Sequence, residues 1–418
     1  MPLRERAIHA PKRPPDMGEE RQVKKTRVCA ISFKECWQDG NGRWCSNGGF
    51  PLQMAGIASL FDSMTLLVTF GETPGGGSIP LPGNAEIVLI RRPVGRDPWR
   101  KFWVMAHLAY YIRVIARQCR DADVVHVPPP GDIPLIGMIV ALAMRKRQII
   151  RYCGSWTVTR QTTLTNRFTR ALIRIFAGGR NVMLATGDGD EPPGRGISWI
   201  FSTALSAAEL RNTSPDCDRA LGVPPRLVYI GRLHEIKGVA NLIKAFDLLS
   251  REGFSPLPTI TIIGEGPDRE MLEQMAARDG HQGNIRFTGQ LDRSALVMKL
   301  GGVDLCVQPS LSEGFSKAWL DAFSMGLPVL ASDVGAARGV IGGDGVRGWL
   351  VPPGDVRALA DKLRYVLTAQ LDWPSLRRQC RVFVEGRTLE SWADTIGRIS
   401  ASQWNWSLSD GKLREPAN

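Results

Sequence analysis

The stretch DLCVQPSLSEGFSKAWLDAFSMGLPVLAS, residues 304–332, reads as a strand, a helix and a second strand in succession. DLCVQPS is a short apolar run, SEGF is a turn of small residues, and SKAWLDAFSM has the composition of a helix. Gly326 and Pro328 stop that helix before PVLAS resumes an apolar strand. A strand that returns through a helix lies parallel to its neighbour, so the stretch predicts a parallel sheet with helices over it. It also sets Glu313 in the turn and Asp321 eight positions later, more than one turn into the helix.

The same alternation extends outward. RLVYIG (226–231), TITIIG (259–264), IRFTG (285–289) and GWLV (348–351) read as further strands of this sheet. An earlier set comprises RVCAISF (27–33), MTLLVTF (64–70), EIVLIRR (86–92), DVVHV (123–127), QIIRYCG (148–154) and NVMLAT (181–186). Between them lie helical patterns. Val239, Leu242, Ile243, Phe246 and Leu249, for example, predict an amphipathic helix over 238–250. The alternation lapses near 205–225, at NTSPDCDRALGVPP. The predicted class is therefore α/β, with two tandem doubly wound Rossmann-like domains, 27–205 and 226–385, facing across a cleft. A linker at 206–225 joins them, and within 386–418 TLESWADTIGRIS predicts a helix that crosses back, followed by a tail.

Composition bounds the rest. A chain of 418 residues with 43% hydrophobic positions can bury more than one core. Residues 1–26 are charged and Pro-containing, without the apolar stretch of a secretory leader, and predict a flexible basic tail. IPLIGMIVALAM (133–144) falls short of the ~20 residues that span a bilayer and predicts a buried helix. The eight cysteines contain no CxxC and no metal-like spacing with the five histidines, so we expect reduced thiols, no metal and a cytoplasmic setting. Residues 1–205 hold 28 Lys/Arg against 16 Asp/Glu, whereas 206–418 hold 25 of each. All of the net +12 thus belongs to the first half, which suggests a negatively charged partner such as a membrane surface; a solvated surface with a basic tail is the alternative.

Ligands of open α/β sheets bind at the carboxyl ends of the strands. Gly231 and Arg232 follow one strand and Lys237 opens the next helix, so two cations and free amides meet at a helix N-terminus, suited to a diphosphate. Two solvated loop cations are the other reading. In SEGFSK, Glu313 can reach a ligand at the helix end, and the amides of Gly314, Phe315 and Ser316 can donate to hydroxyl or phosphate oxygens. Asp321 can accept from a diol such as ribose, or pair with Lys317 four residues earlier for about 0.3 kcal/mol.

GRLHEIKG, IIGEGPDREMLE, IRFTGQL, PSLSEGFSKAWLDAFSMGLPVLAS and GWLVPPGD resemble, in order and spacing, the C-terminal domain of retaining glycosyltransferases of family 4, which have the GT-B fold. The resemblance covers about 225–365 strongly; GGF (48–50), DADVVHV (121–127) and RYCGSW (151–156) match more loosely. It implies transfer of a sugar from a nucleoside-diphosphate sugar, a co-substrate, with no cofactor and no metal. Arg232 and Lys237 would hold the diphosphate, Glu313 the sugar hydroxyls and Asp321 the ribose, although the family usually has Glu at that position. Gly48 and Gly49 would let backbone approach the diphosphate. Cys153 stands where many members carry a His facing the sugar, a contact that can pass to Ser155, and His126 ends a strand at the expected cleft. The expected acceptor is a lipid-diphosphate-linked saccharide of cell-surface polysaccharide synthesis, with a soluble small molecule as the alternative.

Other classes fit less well. A dinucleotide oxidoreductase needs GxGxxG, but GEGPDR (264–269) ends in Arg269. A phosphorylase's pyridoxal lysine has no recognisable setting, and a nucleotide-sugar epimerase would turn over donor alone. Nucleic-acid binding predicts basic and aromatic residues interleaved on an exposed sheet, whereas RKR (145–147) flanks an apolar helix.

Overall fold

A computed structural model describes residues 24–72, 78–95, 99–156 and 162–416. The first sheet contains β1 (Arg27–Gln38), β2 (Trp44–Asn47), β3 (Ser63–Phe70), β4 (Ser78–Pro80), β5 (Ala85–Ile90), β6 (Val124–Val127), β7 (Arg147–Tyr152), β8 (Asn181–Thr186) and β9 (Ile197–Ile200). Seven of them are parallel in the order β5-β3-β1-β6-β7-β8-β9, while β2 and β4 add antiparallel beside the end of β1. All six expected strands are present. β1 continues past Phe33 through a register shift between Ile31 and Glu35, which carries Lys34 and Glu35 to the carboxyl edge. β2, β4 and β9 were not predicted, because each is only three or four residues long and amid turn-forming residues.

The second sheet contains β10 (Arg226–Ile230), β11 (Thr259–Ile263), β12 (Ile285–Gly289), β13 (Leu305–Gln308), β14 (Val329–Ser332) and β15 (Gly348–Val351). Its order, β12-β11-β10-β13-β14-β15, is all parallel and reverses direction between β10 and β13. That reversal opens a crevice beyond the ends of these two strands. The predicted amphipathic helix is Val239–Arg251, and Val239, Leu242, Ile243, Phe246 and Leu249 are all buried on the sheet. Truncating Phe246 there would cost about 3–5 kcal/mol.

Three connections differ from expectation. Residues 206–225 are not a free linker: Ala207–Asn212 is a helix capped by the Ser206 hydroxyl, and Leu210 packs into the second domain's core with Leu296 and Trp319. Of the expected tail 1–26, residues 1–23 lie outside the described residues, but Lys24 pairs with Glu415 at 2.8 Å and Thr26 is buried, donating to the Leu413 carbonyl. The far end is also ordered. Helix Leu389–Trp404 starts at a capping box of Thr388 and Ser391, crosses to the first domain and buries Trp392 and Ile396 against Met54, Ile57 and Leu60. A hairpin of β16 (Ser407–Ser409) and β17 (Lys412–Arg414) then docks on Leu60 and Asp62. The apolar segment at 133–144 forms helix Asp132–Ala143, half buried on the first sheet. No helix among the described residues is long and apolar enough to cross a membrane.

Candidate active site

At the crevice between β10 and β13 two loops are pressed together by glycine. Gly238 has φ +68°, and a Cβ there would collide with the Pro309 carbonyl. The contact lets the Leu311 amide donate to the Ile236 carbonyl at 2.8 Å. Lys237 is thereby held against Glu313, whose carboxylate accepts from the Lys237 ammonium and, at 3.4 Å, from the Ser310 hydroxyl. Gly335, at φ +57°, backs onto the Glu313 carbonyl from the loop after β14. Arg232 is exposed at the same rim, beside Gly231.

Helix Lys317–Ser324 follows, with Trp319, Leu320 and Phe323 anchoring it in the core. The backbone amides of Gly314, Phe315 and Ser316 donate to no backbone carbonyl among the described residues, which leaves them at the positive end of this helix. Asp321 does not pair with Lys317. It is buried and accepts from Arg293 at 2.7 Å, while the same guanidinium also binds Glu209. Although burial opposes it, the two carboxylates hold the Arg293 guanidinium above its ordinary range. Arg293 follows an N-cap aspartate, Asp292, and its surroundings in LDRSAL carry no sign of this role.

Lys317 turns instead toward the first domain. Gly49 lies so close that an added Cβ would stand 2.8 Å from the Lys317 ammonium. Burial and the nearby Arg151 and Lys34 push that ammonium down to about 8. Lys34 is also pushed down, by burial and by Arg232 across the gap. Gly48, Gly49, Lys34, Arg232, Glu313 and Asp321 all border one cleft of about 960 Å³ between the two sheets. Neither Lys34 nor Lys317 was singled out by sequence: one lies in a strand extension, and the other seemed a partner for Asp321.

The remaining candidates sit elsewhere. His126 is fully buried within the sheet, its Nδ1 bonded to the Ile149 carbonyl at 3.0 Å, and it does not line the cleft. Burial, aided by Arg151, pushes its imidazole down to about 3, so it is neutral. Cys153 is exposed at the end of β7, outside the cleft lining; Ser155 is also absent from that lining. Between them Gly154 meets Gly314, where an added Cβ would stand 2.8 Å from the Gly154 carbonyl oxygen. The two domains therefore touch through bare backbone beside Glu313.

Residues 224–369 match the family described as Glycosyl transferases group 1. The second domain is that of a group 1 glycosyl transferase. The matched residues include Arg232, Lys237, Arg293, Glu313 and Asp321, whereas Lys34, Gly48 and Gly49 lie outside them. Over 200 residues the chain is 28% identical to 2-deoxystreptamine N-acetyl-D-glucosaminyltransferase of Streptomyces fradiae, covering 45% of this chain and 47% of the relative. Over 304 residues it is 26% identical to phosphatidyl-myo-inositol mannosyltransferase of Mycolicibacterium smegmatis, covering 70% and 71%. The chain thus spans about half the length of the first of these relatives. In three dimensions it matches Anabaena HepE, solved with UDP and glucose, at a TM-score of 0.67 and 18% identity over 91% of this chain and all of that one. The fold is GT-B.

Proposed function

We propose that this protein is a retaining, metal-independent glycosyltransferase that moves a sugar from a nucleoside-diphosphate sugar to a glycan precursor. The observation that carries the reading is the Lys237–Glu313 pair at the crevice of the second sheet, with Arg232 at its rim. In this reading Arg232, Lys237 and the amides of Gly314, Phe315 and Ser316 receive the diphosphate, and Gly48 and Gly49 close over it from the first domain. They offset the negative charge that builds on the leaving group as the anomeric bond breaks. Glu313, freed from Lys237 by the incoming phosphate, accepts from sugar hydroxyls. Asp321, oriented by Arg293, accepts from the ribose. The acceptor attacks from the face the diphosphate leaves, with a leaving-group phosphate oxygen taking its proton; the family likeness supports this course.

A lipid-diphosphate-linked saccharide at the cytoplasmic face of a membrane is the acceptor we favour. Its support is the basic first half and the likeness to a mannosyltransferase of phosphatidyl-myo-inositol. A soluble acceptor is the second reading, favoured by the likeness to an enzyme of 2-deoxystreptamine.

Thermal stabilisation by nucleoside diphosphates tests the donor side. Uridine diphosphate comes first, because HepE was solved with it. A ligand that binds only the native state raises Tm by mass action, by about 2.7 kcal/mol of stability at one hundred times Kd. We expect a concentration-dependent rise that is lost in Arg232→Ala. No rise with any nucleotide series would remove the donor site from the proposal.

A further inference from the structure

The first sheet has two covered faces. Val28, Ala30, Leu66 and Leu184 point to one, which is sealed by helix Phe50–Ser59 and the crossing helix. Cys29, Ile31, Leu67 and Ala185 point to the other, covered by helices Trp99–Ala106, Leu108–Arg120, Asp132–Ala143 and Leu164–Phe176. This second layer is unusual on its outside. Trp99, Phe102 and Met105 are 65–73% exposed, and on the last helix Leu164, Phe168 and Ile175 are 80, 52 and 70% exposed. Residues 164, 168 and 175 share one stripe of their helix. So many large exposed side chains on one layer exceed the scatter of single residues normal for a surface.

The layer is also almost one-signed, Asp132 being the one acid in its four helices. Residues 99–120 contain five Lys/Arg and no Asp or Glu, and residues 133–187 contain nine and none. Arg113, Arg117 and Arg167 are exposed and form no ion pair among the described residues. On a water-facing helix such cations would usually meet acids three or four positions away. Aromatic and aliphatic side chains set among unpaired cations suit an interface that is apolar inside and negatively charged at its surface. The layer reaches the candidate active site, because Arg100, in the first of these helices, borders the cleft and pairs with Asp132 at 3.3 Å.

We infer that this helical layer is a docking face for an anionic lipid bilayer, with Trp99, Phe102 and Phe168 entering the headgroup region and the arginines lying over it. The inference rests on the lipid-linked acceptor reading and extends it, since a chain docked this way turns the edge of its cleft toward the membrane. Flotation of the whole chain with phosphatidylcholine vesicles, with and without phosphatidylglycerol, tests it. We expect flotation with the phosphatidylglycerol vesicles only, weakened by salt. Arg113→Glu with Arg167→Glu should lower vesicle affinity about tenfold or more, and Trp99→Ser with Phe102→Ser and Phe168→Ser should abolish it. These side chains are exposed, so melting temperature and donor stabilisation should stay at the wild-type values, which keeps the result separate from the transferase reading. The inference is overturned if the wild type floats with neither vesicle, if the variants float as it does, or if the apolar variant instead dissolves a dimer seen by light scattering.

Discussion

Lys317 occupies the first turn of its helix, where a cation is normally disfavoured by the helix dipole. The residue is half buried, and its ammonium lies near Arg151 and Lys34 and reaches Gly49 of the opposite domain. A group in this position is strained by its neighbours until an anion arrives. With its pKa lowered to about 8, Lys317 is charged at pH 7 and loses its proton as pH rises through that value. Binding of an anion favours the charged form, so affinity for a nucleoside diphosphate should fall as pH rises, by up to about tenfold between pH 7 and 9. Titration calorimetry across that range is the measurement, and Lys317→Arg should flatten the profile because arginine keeps its proton. An unchanged profile in the arginine variant would place Lys317 outside the anion site.

At the scale of elements, the site depends on how closely the loops after β10, β13 and β14 approach. Gly238 is the clearest case, since its positive φ and the adjacent Pro309 carbonyl both exclude a side chain. Gly253 has a similar φ of +72° but open space around it. Gly253→Ala should therefore cost only the left-handed penalty of about 1 kcal/mol, while Gly238→Ala should cost at least ~2 kcal/mol more and part Lys237 from Glu313. Urea unfolding of both variants measures the difference. Equal losses at the two positions would mean that the loops separate without penalty.

For the whole molecule, the crossing helix makes the first domain depend on the end of the chain. Trp392 is fully buried against residues of the first domain, and Gly56 admits it: a Cβ there would stand 3.1 Å from the indole. Trp392→Ala should destabilise by about 3–5 kcal/mol, and the loss should appear in the first domain although the residue lies far along the sequence. Hydrogen exchange in helix Phe50–Ser59 is the readout, with helix Val239–Arg251 as the internal control. Faster exchange in the second helix alone would show that the crossing helix supports the wrong domain.

The sequence by itself determined what depends on near neighbours. Apolar runs marked twelve strands because a strand buried on both faces must be apolar throughout, and helical spacing marked Val239–Arg251 because its buried side returns every three or four residues. TLESWADTIGRIS likewise marked the crossing helix, whose cap at Thr388 the structure supplies. Of the candidate site, Arg232, Lys237, Glu313 and Asp321 were legible because each lies at a strand end or in the turn and helix that follow it. Only the tertiary structure decided their partners. Arg293 reaches Asp321 across 28 residues, Gly314 meets Gly154 from another domain, and Lys34 enters the cleft through a register shift that no periodicity records. His126 illustrates the reverse, a polar residue at a strand end that the sheet closes over. Local patterning specifies which surfaces must be buried, but the order in which strands pair specifies which distant groups share the cleft.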